Sequence, residues 1–513
     1  MHIVSRLFFS VFLALAGAVA ATAQGDPFSA NAYRVERDNL AEKNAAADTG
    51  TSGVTADGKA QSALGAVAPR HFPWRDTQAF NDGWEYLERN LATPEEAAIA
   101  TGWVPVTLPH SWNAKDTIEK AEYRRDVSWY RKVLNFDSAA FKPFSDLYHY
   151  LRFGAAGQSA TVYFNGTQLA AHHGGYSAFT VELPKHLRRQ GDNSILVRVS
   201  NEKNRHLPPL SGDFNQYGGL YRQVHLIRAN WNSFARDVLP TIKSETTAAA
   251  ARFEVAPIAI AGALKTSPLK VELTVTAPDG TVVAEVQGAA GSPLIGAVAN
   301  PLLWSPEAPN LYTFTFRLRA TSDNAPTVVD QVTLRHGFRW FEFTPDNGFF
   351  LNGKPCKLVG VSRHQDRPGF GPALSDAQHD ADLRRIKEVG FNFLRLAHYQ
   401  QDDYVLQRCD ELGLLIWEEI PLVNVIAPRA YPPSEILAAN ATSMLTDMVT
   451  QHRHHPSIII WGLGNEISYS TQDEHAELHE FELRLIRDLN TLAHRLDPTR
   501  KTIIVSHDSD RAA

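Results

Sequence analysis

The sequence predicts a multidomain protein of the β plus α/β class, in which two β-sandwiches precede a domain of strands alternating with helices. The length of 513 residues suggests about three domains at roughly 150 residues each. Short alternating strands separated by turn residues continue to about residue 336. Beyond residue 349 the hydrophobic period changes to strands that alternate with helices, which is typical of a parallel sheet.

Composition excludes several classes of protein. Hydrophobic residues make up 44% and charged residues 21% of the chain, which excludes a wholly disordered or collagen-like chain. The net charge of −6 gives no basic surface for nucleic acid or an anionic membrane. Cys356 and Cys409 are too few for a disulfide framework or a four-thiolate metal site. We expect both to be buried free thiols.

Residues 1–23 are typical of a secretory signal peptide. An apolar run over residues 7–20 follows Arg6, and Ala21-Thr22-Ala23 offers a cleavage site between small residues. The run is short for a membrane span, although a retained N-terminal anchor is the alternative. We therefore expect a periplasmic or secreted protein that does not span a membrane. Residues 24–70 are rich in Ala, Gly, Ser, Thr and Asp and are expected to form a flexible leader.

Two β-sandwiches are predicted over residues 71–228 and 229–336. In the first, residues 162–169 are typical of a hairpin, with Asn165-Gly166 supplying the positive φ angles of a tight turn. In the second, apolar and polar residues alternate over residues 271–276 and a turn follows at 278–280. The length and spacing of this second region fit a small sandwich of immunoglobulin type.

Residues 337–513 are predicted to form a parallel sheet with helices. Ser375 and Gln378 form a capping box at one helix start, and Gly390 and Gly413 end two helices. The predicted strands are 358–361, 392–396, 414–417, 458–461 and 502–505. These are about five, whereas a closed barrel needs eight, so the sheet is either open or part of a longer barrel. No Gly-rich phosphate loop follows the first strand, which argues against nucleotide binding.

Polar side chains follow four of these strands. The carboxyl ends of all the strands of a βα barrel face one mouth, so the side chains there are candidates for one site. They are His364 and Asp366, Arg395 and His398, Glu418 and Glu419, and Asn465 and Glu466. Such groups suit acid–base chemistry on a polar neutral substrate, for which a sugar is the natural candidate.

Glu466 is the sharpest catalytic candidate. A carboxyl held against apolar walls favours its protonated form, which a general acid needs near neutral pH. The alternative is a glutamate that complements the dipole of the following helix. His364 and His398 have the alternative of structural hydrogen bonding in a loop. The histidines in residues 452–455 do not have the spacing of a known metal motif, and no metal or other cofactor is predicted.

Several stretches resemble glycoside hydrolase family 2, which contains β-galactosidases, β-glucuronidases and β-mannosidases. Residues 455–466 resemble its acid/base signature and residues 392–399 its second-strand motif. Residues 350–355 and 363–366 resemble the entry into its barrel, and 217–222 and 303–306 resemble stretches of its two preceding β domains. The resemblance runs from about Phe72 onward, with the motifs in the family's order.

The resemblance implies a fold and a set of roles. The fold is an N-terminal jelly-roll sugar-binding β-sandwich, an immunoglobulin-like β-sandwich and a (β/α)8 TIM barrel of which about the first five strands are present. Glu466 would be the general acid/base, and Asn465 would hydrogen-bond the sugar hydroxyl next to the anomeric carbon. Arg395 would support the nucleophile, His364 and His398 would line the glycone pocket, and Asp213 would reach over from the first sandwich.

The implied reaction is the hydrolysis of terminal non-reducing β-glycosides with retention of configuration, through two carboxyls about 5–5.5 Å apart. A β-galactoside is the favoured substrate. The nucleophilic glutamate belongs to the family's seventh barrel strand, so we expect it beyond the chain end. Residues 422–425 lack the Glu and His of metal-dependent β-galactosidases, so no magnesium site is predicted. β-Glucuronidase or β-mannosidase activity and a non-catalytic carbohydrate-binding role are the alternatives, and homo-oligomers are common in the family.

Overall fold

The computed structural model describes residues 75–119, 122–142, 146–212, 214–230, 233–234, 240–256, 260–261, 269–320, 327–424, 434–467 and 476–505. The segments predicted as a signal peptide and leader lie outside these residues. No helix within the described ranges is long and apolar enough to cross a membrane.

Two antiparallel sheets form the first sandwich. Its strands are β1 (Asp76–Ala79), β2 (Trp84–Leu87), β3 (Val104–Val106), β4 (Val127–Asn135), β5 (Tyr148–Phe153), β6 (Ser159–Phe164), β7 (Thr167–His173), β8 (Phe179–Glu182), β9 (Asp192–Ser200) and β10 (Val224–Ala229). One sheet has the order β1-β10-β5-β8 and the other β3-β2-β4-β9-β6-β7. Two short helices, α1 (Pro94–Ile99) and α2 (Asp116–Glu119), and a 3-10 turn at Lys185–Leu187 complete it.

The hairpin predicted at Asn165-Gly166 is confirmed. Asn165 and Gly166 have φ angles of 52° and 86°, and they join β6 to β7, which pair antiparallel. Ile195, Val197 and Val199 on β9 are fully buried in the core between the two sheets. Local turn chemistry and two-residue periodicity therefore determine this part of the fold.

The second sandwich also contains two main sheets. Its strands are β11 (Ser233–Phe234), β12 (Ile242–Thr246), β13 (Ala250–Val255), β14 (Ile260–Ala261), β15 (Leu269–Thr276), β16 (Val282–Ala289), β17 (Leu294–Ala299), β18 (Tyr312–Ala320) and β19 (Thr327–His336). The sheets have the orders β12-β13-β17 and β16-β15-β18-β19, and β11 pairs with β14. The predicted alternation is confirmed, since Val271, Leu273 and Val275 are buried while the residues between them are partly exposed.

A small antiparallel sheet leads into the parallel sheet. It comprises β20 (Phe341–Thr344), β21 (Gly348–Leu351) and β22 (Lys354–Pro355). The parallel sheet then runs in sequence order through β23 (Gly360–Arg363), β24 (Phe393–Leu396), β25 (Leu415–Glu419), β26 (Ile458–Asn465) and β27 (Lys501–Val505). The helices between them are α3 (Asp376–Glu388), α4 (Asp403–Leu412), α5 (Glu435–His452) and α6 (Ala476–Leu496).

Most local predictions for this domain are confirmed. The Ser375 capping box is present, and Asp402 caps α4, which ends at the left-handed Gly413. All eight residues of β26 are buried, as expected for a strand covered on both faces.

Two predictions are corrected. The first parallel strand begins at Gly360 rather than Leu358, and Val359 is 42% exposed, because β23 has a parallel neighbour on only one side among the described strands. Cys356 is half-buried rather than buried, whereas Cys409 lies in the core, and neither of these two described residues forms a disulfide.

Both sandwiches contact the domain that contains the parallel sheet. From the first, Arg222 donates to the carbonyl of Gln400 at 2.6 Å. From the second, Trp304 donates to the carbonyl of Asp410 at 2.8 Å. The first sandwich packs near the carboxyl ends of the parallel strands, where Phe214 contacts His364, so it stands beside the candidate site.

Candidate active site

The parallel register brings four predicted residues into one hydrogen-bonded network: Arg395, His398, Glu419 and Asn465. Arg395, near the end of β24, donates through Nη2 to Oδ1 of Asn465 at 2.7 Å. The same guanidinium donates to both carboxylate oxygens of Glu419 at 3.0 Å, with Nε at 3.1 Å from Oε2. Its other side lies over the Trp417 ring, 4.3 Å from the centroid. The hydrogen bonds along its N–H edges and the ring on its face together hold Arg395 in one orientation.

Glu419 is fully buried and accepts hydrogen bonds from two partners. Besides Arg395, it contacts Nδ1 of His398 through Oε1. Nδ1 of His398 is 2.5 Å from Oε1 of Glu419 and 3.2 Å from Nη2 of Arg395. A carboxylate can only accept hydrogen bonds, so the shorter contact places a hydrogen on Nδ1, which donates a hydrogen bond to Glu419. The Nε2 atom of His398 is therefore available to a ligand hydroxyl.

Backbone hydrogen bonds fix Asn465 and Glu466 at the end of β26. Asn465 is 5% exposed, and its N–H donates to the carbonyl of Leu422 at 2.9 Å. The N–H of Glu466 donates to the carbonyl of Val505 at 2.8 Å, and Glu466 has a left-handed φ of 54°. A non-glycine residue in this region is uncommon and is held there by its surroundings. The chain thus turns sharply at the candidate acid/base.

His364 lies next to His398 and contacts the aromatic rings of Phe214 and Tyr399. Its Nδ1 is 3.3 Å from the Tyr399 hydroxyl, and its ring centroid is 5.3 Å from that of His398. Phe214, from the segment between β9 and β10, lies 5.2 Å from His364 and 6.0 Å from His398. Burial raises the pKa of Tyr399, so its hydroxyl is neutral and can both donate and accept.

Of the remaining candidates, Asp366 and Glu418 make structural contacts outside the Arg395 network. Asp366 accepts from the Tyr217 hydroxyl at 2.8 Å and so connects the loop after β23 to the first sandwich. Glu418 is fully buried against His452 and does not join the Arg395 network. Asp213 lies outside the described residues. No group of three or more His, Cys, Asp or Glu side chains that could hold a metal occurs in the described part of the chain.

Sequence reasoning missed Phe214 and Trp417. Neither carries a group that performs acid–base chemistry, so a search for polar residues after strands passes over both. The signal that could have identified Phe214 is its position beside Asp213, which the resemblance predicts to contact the sugar, since an aromatic ring suits the apolar face of a sugar.

Gly462 allows β25 and β26 to approach each other at this site. A methyl group on Gly462 would stand 2.3 Å from Cβ of Glu419 and 2.5 Å from Nε1 of Trp417. We expect Gly462→Ala to lower the free energy of unfolding of the parallel sheet by about 1–3 kcal/mol and to displace Glu419 from Arg395. Hydrogen exchange of β25 and β26 measures the first effect. Gly288→Ala, where the methyl would meet only Cδ2 of Leu294, is the control, and equal effects would contradict the prediction.

The arrangement combines a carboxyl at a strand end, an oriented amide, and two imidazoles under an aromatic ring. Glu466 can exchange a proton with a ligand. The bond from Arg395 to Oδ1 of Asn465 orients the amide, which leaves its NH2 group to donate to a ligand. His364 and His398 can bind hydroxyls. These groups suit a polyhydroxylated ligand that is recognised by hydrogen bonds and ring stacking.

Two family models match the chain. The model for glycosyl hydrolases family 2, TIM barrel domain, matches residues 344–513, and the model for glycosyl hydrolases family 2 matches residues 239–339. The fold and these matches define a multidomain, β-rich protein with a TIM barrel domain. The chain belongs to glycoside hydrolase family 2.

Relatives in this family carry two activity names. A putative β-glucuronidase from Formosa agariphila is 36% identical over 439 residues, covering 84% of this chain and 51% of the relative. A β-galactosidase from Thermoanaerobacter pseudethanolicus is 31% identical over 442 residues, covering 83% of this chain and 55% of the relative. The chain therefore spans about half the length of the curated relatives it matches.

A solved structure shows the same architecture. Bacteroides uniformis β-glucuronidase 2, covalently bound to cyclophellitol-6-carboxylate aziridine, aligns with a TM-score of 0.73 and 35% identity. The alignment covers 84% of this chain and 52% of that chain.

Proposed function

We propose that this protein hydrolyses terminal non-reducing β-glycosides with retention of configuration, and that Glu466 is its general acid/base. The observation that carries the proposal is the network in which Arg395 joins Glu419 to Asn465, next to Glu466 and under the ring of Phe214. The names of the relatives support glycoside cleavage as the reaction type.

The proposed mechanism gives Glu466 the proton transfers and its neighbours the contacts with the sugar. Glu466 protonates the glycosidic oxygen as the nucleophilic carboxyl bonds to the anomeric carbon and the leaving group departs. Its carboxylate then removes a proton from the water that attacks the anomeric carbon and breaks the bond to the nucleophile. Asn465 donates its amide N–H to the hydroxyl next to the anomeric carbon. His364 and His398 bind further hydroxyls, and Phe214 covers an apolar face of the sugar.

The nucleophile is assigned to none of the described residues. Glu419 is engaged by Arg395 and His398, which makes it a support for the site rather than an attacking group. We propose that the nucleophilic carboxyl lies outside the described residues, and that Asp213 contacts the sugar from the first sandwich. The jelly-roll topology of that sandwich and a periplasmic or secreted location belong to the same proposal.

The preference for β-galactosides is not supported over β-glucuronides. Relatives of both names match this chain at 31% and 36% identity, so the proposal covers both sugars. The test is the release of nitrophenol from aryl β-glucuronide, β-galactoside, β-mannoside and β-glucoside by the 513-residue chain and by a chain extended to the length of its relatives. We expect one sugar to be cleaved. Binding of a sugar with no hydrolysis by either protein would instead identify a carbohydrate-binding protein.

A further inference from the structure

Glu418 and Glu419 are neighbours on β25, but their side chains lie on opposite faces of the sheet. Leu415 and Trp417 belong to the apolar cluster on one face, and Ile416 belongs to the cluster between the sheet and its helices. Successive residues of a strand point to opposite faces. The side chain of Glu419 therefore lies on the same face as Trp417 and points toward Arg395. The side chain of Glu418 lies on the same face as Ile416 and points toward the helices.

On the helix side, Glu418 meets the last residue of α5. Nδ1 of His452 is 2.9 Å from both carboxylate oxygens of Glu418, and Nε2 is 3.2 Å from Oδ1 of Asp403. His452 is 2% exposed and Glu418 is fully buried. Because both ring nitrogens face acceptors, both carry protons, and the ring is an imidazolium.

Asp403 continues the chain of charges into the first sandwich. Its Oδ2 is 2.5 Å from Nη2 of Arg152, whose side chain is 6% exposed and lies on β5. Glu418, His452, Asp403 and Arg152 thus form an alternating series of charges, which we call the ionic relay. The relay is neutral as a whole only when His452 is protonated.

We infer that His452 is a positioning residue, which as an imidazolium holds the strand carrying Glu419 against the sandwich carrying Phe214. This inference rests on the proposed function for its effect on catalysis. The inference predicts that the second proton on His452 stabilises the contact between the parallel-sheet domain and the first sandwich, whose residues meet at the candidate site.

The groups around the relay determine its pH dependence. Burial opposes the charge on His452, but the Glu418 and Asp403 carboxylates outweigh it and raise the pKa of His452 above its ordinary value. The His455 ring, 6.0 Å from the His452 ring, belongs to the loop after α5 and pairs with Asp410. On the sandwich side, His225 lies opposite Arg152 on β10, and burial and Arg152 lower the pKa of His225 to about 3. His225 is therefore neutral near pH 7.

The sign of the effect follows from the raised pKa of His452. The docking contribution of the imidazolium is complete below about pH 6.5, the pKa of an unperturbed histidine. It decreases as the pH rises through the higher folded-state value, because the neutral ring can no longer donate to both carboxylates. Docking should therefore loosen on the alkaline side.

The test compares backbone hydrogen exchange in β5 and α5 between pH 6 and pH 9, corrected for intrinsic rates, in the wild type and His452→Gln. In the wild type we expect protection of both segments to fall as the pH rises. In His452→Gln it should be low already at pH 6 and change little. His455→Gln is the matched control, since its ring is equally buried and pairs with the Asp410 carboxylate, whereas Arg152 of β5 pairs with Asp403.

A second variant guards against a misfolded His452→Gln protein. Asp403→Asn leaves Glu418 and His452 together and breaks the relay at Arg152, while the helix cap at Asp402 is kept. It should reproduce the loss of protection in β5. Protection in β5 that is independent of pH in the wild type, or unchanged by Asp403→Asn, would overturn the inference.

Hydrolysis provides the second readout. For the aryl glycoside that is cleaved, we expect His452→Gln to raise KM more than it lowers kcat, because it displaces Phe214 from the sugar pocket but leaves Glu466 in place. A misplacement of about 1 Å can cost up to ~10²-fold in rate. Exchange is measured without substrate, so a protein that cleaves no glycoside would contradict the proposed function and leave the exchange result to decide the docking role.

Discussion

Glu466→Gln is expected to lower kcat by about 10²–10⁴-fold for an alkyl β-glycoside of the preferred sugar, because that leaving group cannot depart without a proton. For a dinitrophenyl glycoside the loss in the first step should be much smaller, since this leaving group departs as a stable anion. The measurement is the ratio of the two kcat/KM losses. Glutamine has the same side-chain length as glutamate and the same cost of adopting the left-handed φ of 54° at this position. The comparison therefore measures the effect of the carboxyl group alone.

The same comparison tests the alternative interpretation of Glu466. A glutamate that only complements a helix dipole contributes typically 0.3–1 kcal/mol to stability, and its replacement would affect both substrates equally. Glu388→Gln, at an exposed position at the end of α3, is the control and should leave both rates unchanged. Equal small losses for the two substrates would remove the acid/base role from Glu466.

The fold was predictable wherever local chemistry determines it. The Asn165-Gly166 hairpin, the Ser375 capping box and the Gly413 helix end each depend on a few adjacent residues, and the structure confirms all three. The start of β23 was not predictable in this way. Apolar residues at 358 and 359 suggested a buried strand, but pairing with β24 begins at Gly360, and only the position of the neighbouring strand determines it.

The candidate site was predictable as a set of residues but not as a set of contacts. Sequence identified both Glu418 and Glu419 after the third strand, but the face that each occupies depends on the phase of the strand. That phase is set by the pairing of Arg395 with Trp417 across β24 and β25. The partner of Glu418 is 34 residues away in sequence, and no local pattern relates the two.

The histidines of residues 452–455 show the same limit. The sequence shows no metal-motif spacing among them and predicted no functional role for them. In the structure His452 and His455 each pair with buried carboxylates from other elements, Glu418 and Asp410. Long-range charge pairing thus explains why two histidines occur in the core, and it determines which of them can affect the candidate site.

Arg395→Met is expected to be among the most destabilising substitutions in the parallel sheet, at about 3–5 kcal/mol, because it leaves a buried carboxylate without its main counter-charge. Glu419 is fully buried, and Arg395 is 17% exposed. The remaining partner, His398, offers Glu419 a hydrogen bond through Nδ1. The measurement is the free energy of local unfolding from hydrogen exchange of β24, β25 and β26, which avoids assuming a single transition for a multidomain chain.

A double substitution separates the charge from the packing. Arg395→Met combined with Glu419→Met removes both charges, so we expect it to cost less than Arg395→Met alone. Arg484→Met, which breaks a largely exposed pair with Glu435, is the surface control and should change stability by no more than about 1 kcal/mol. If Arg395→Met cost as little as this control, Glu419 would have to be hydrated or protonated in the variant. The orientation of Asn465 would then have to depend on its backbone bond to Leu422 rather than on the guanidinium.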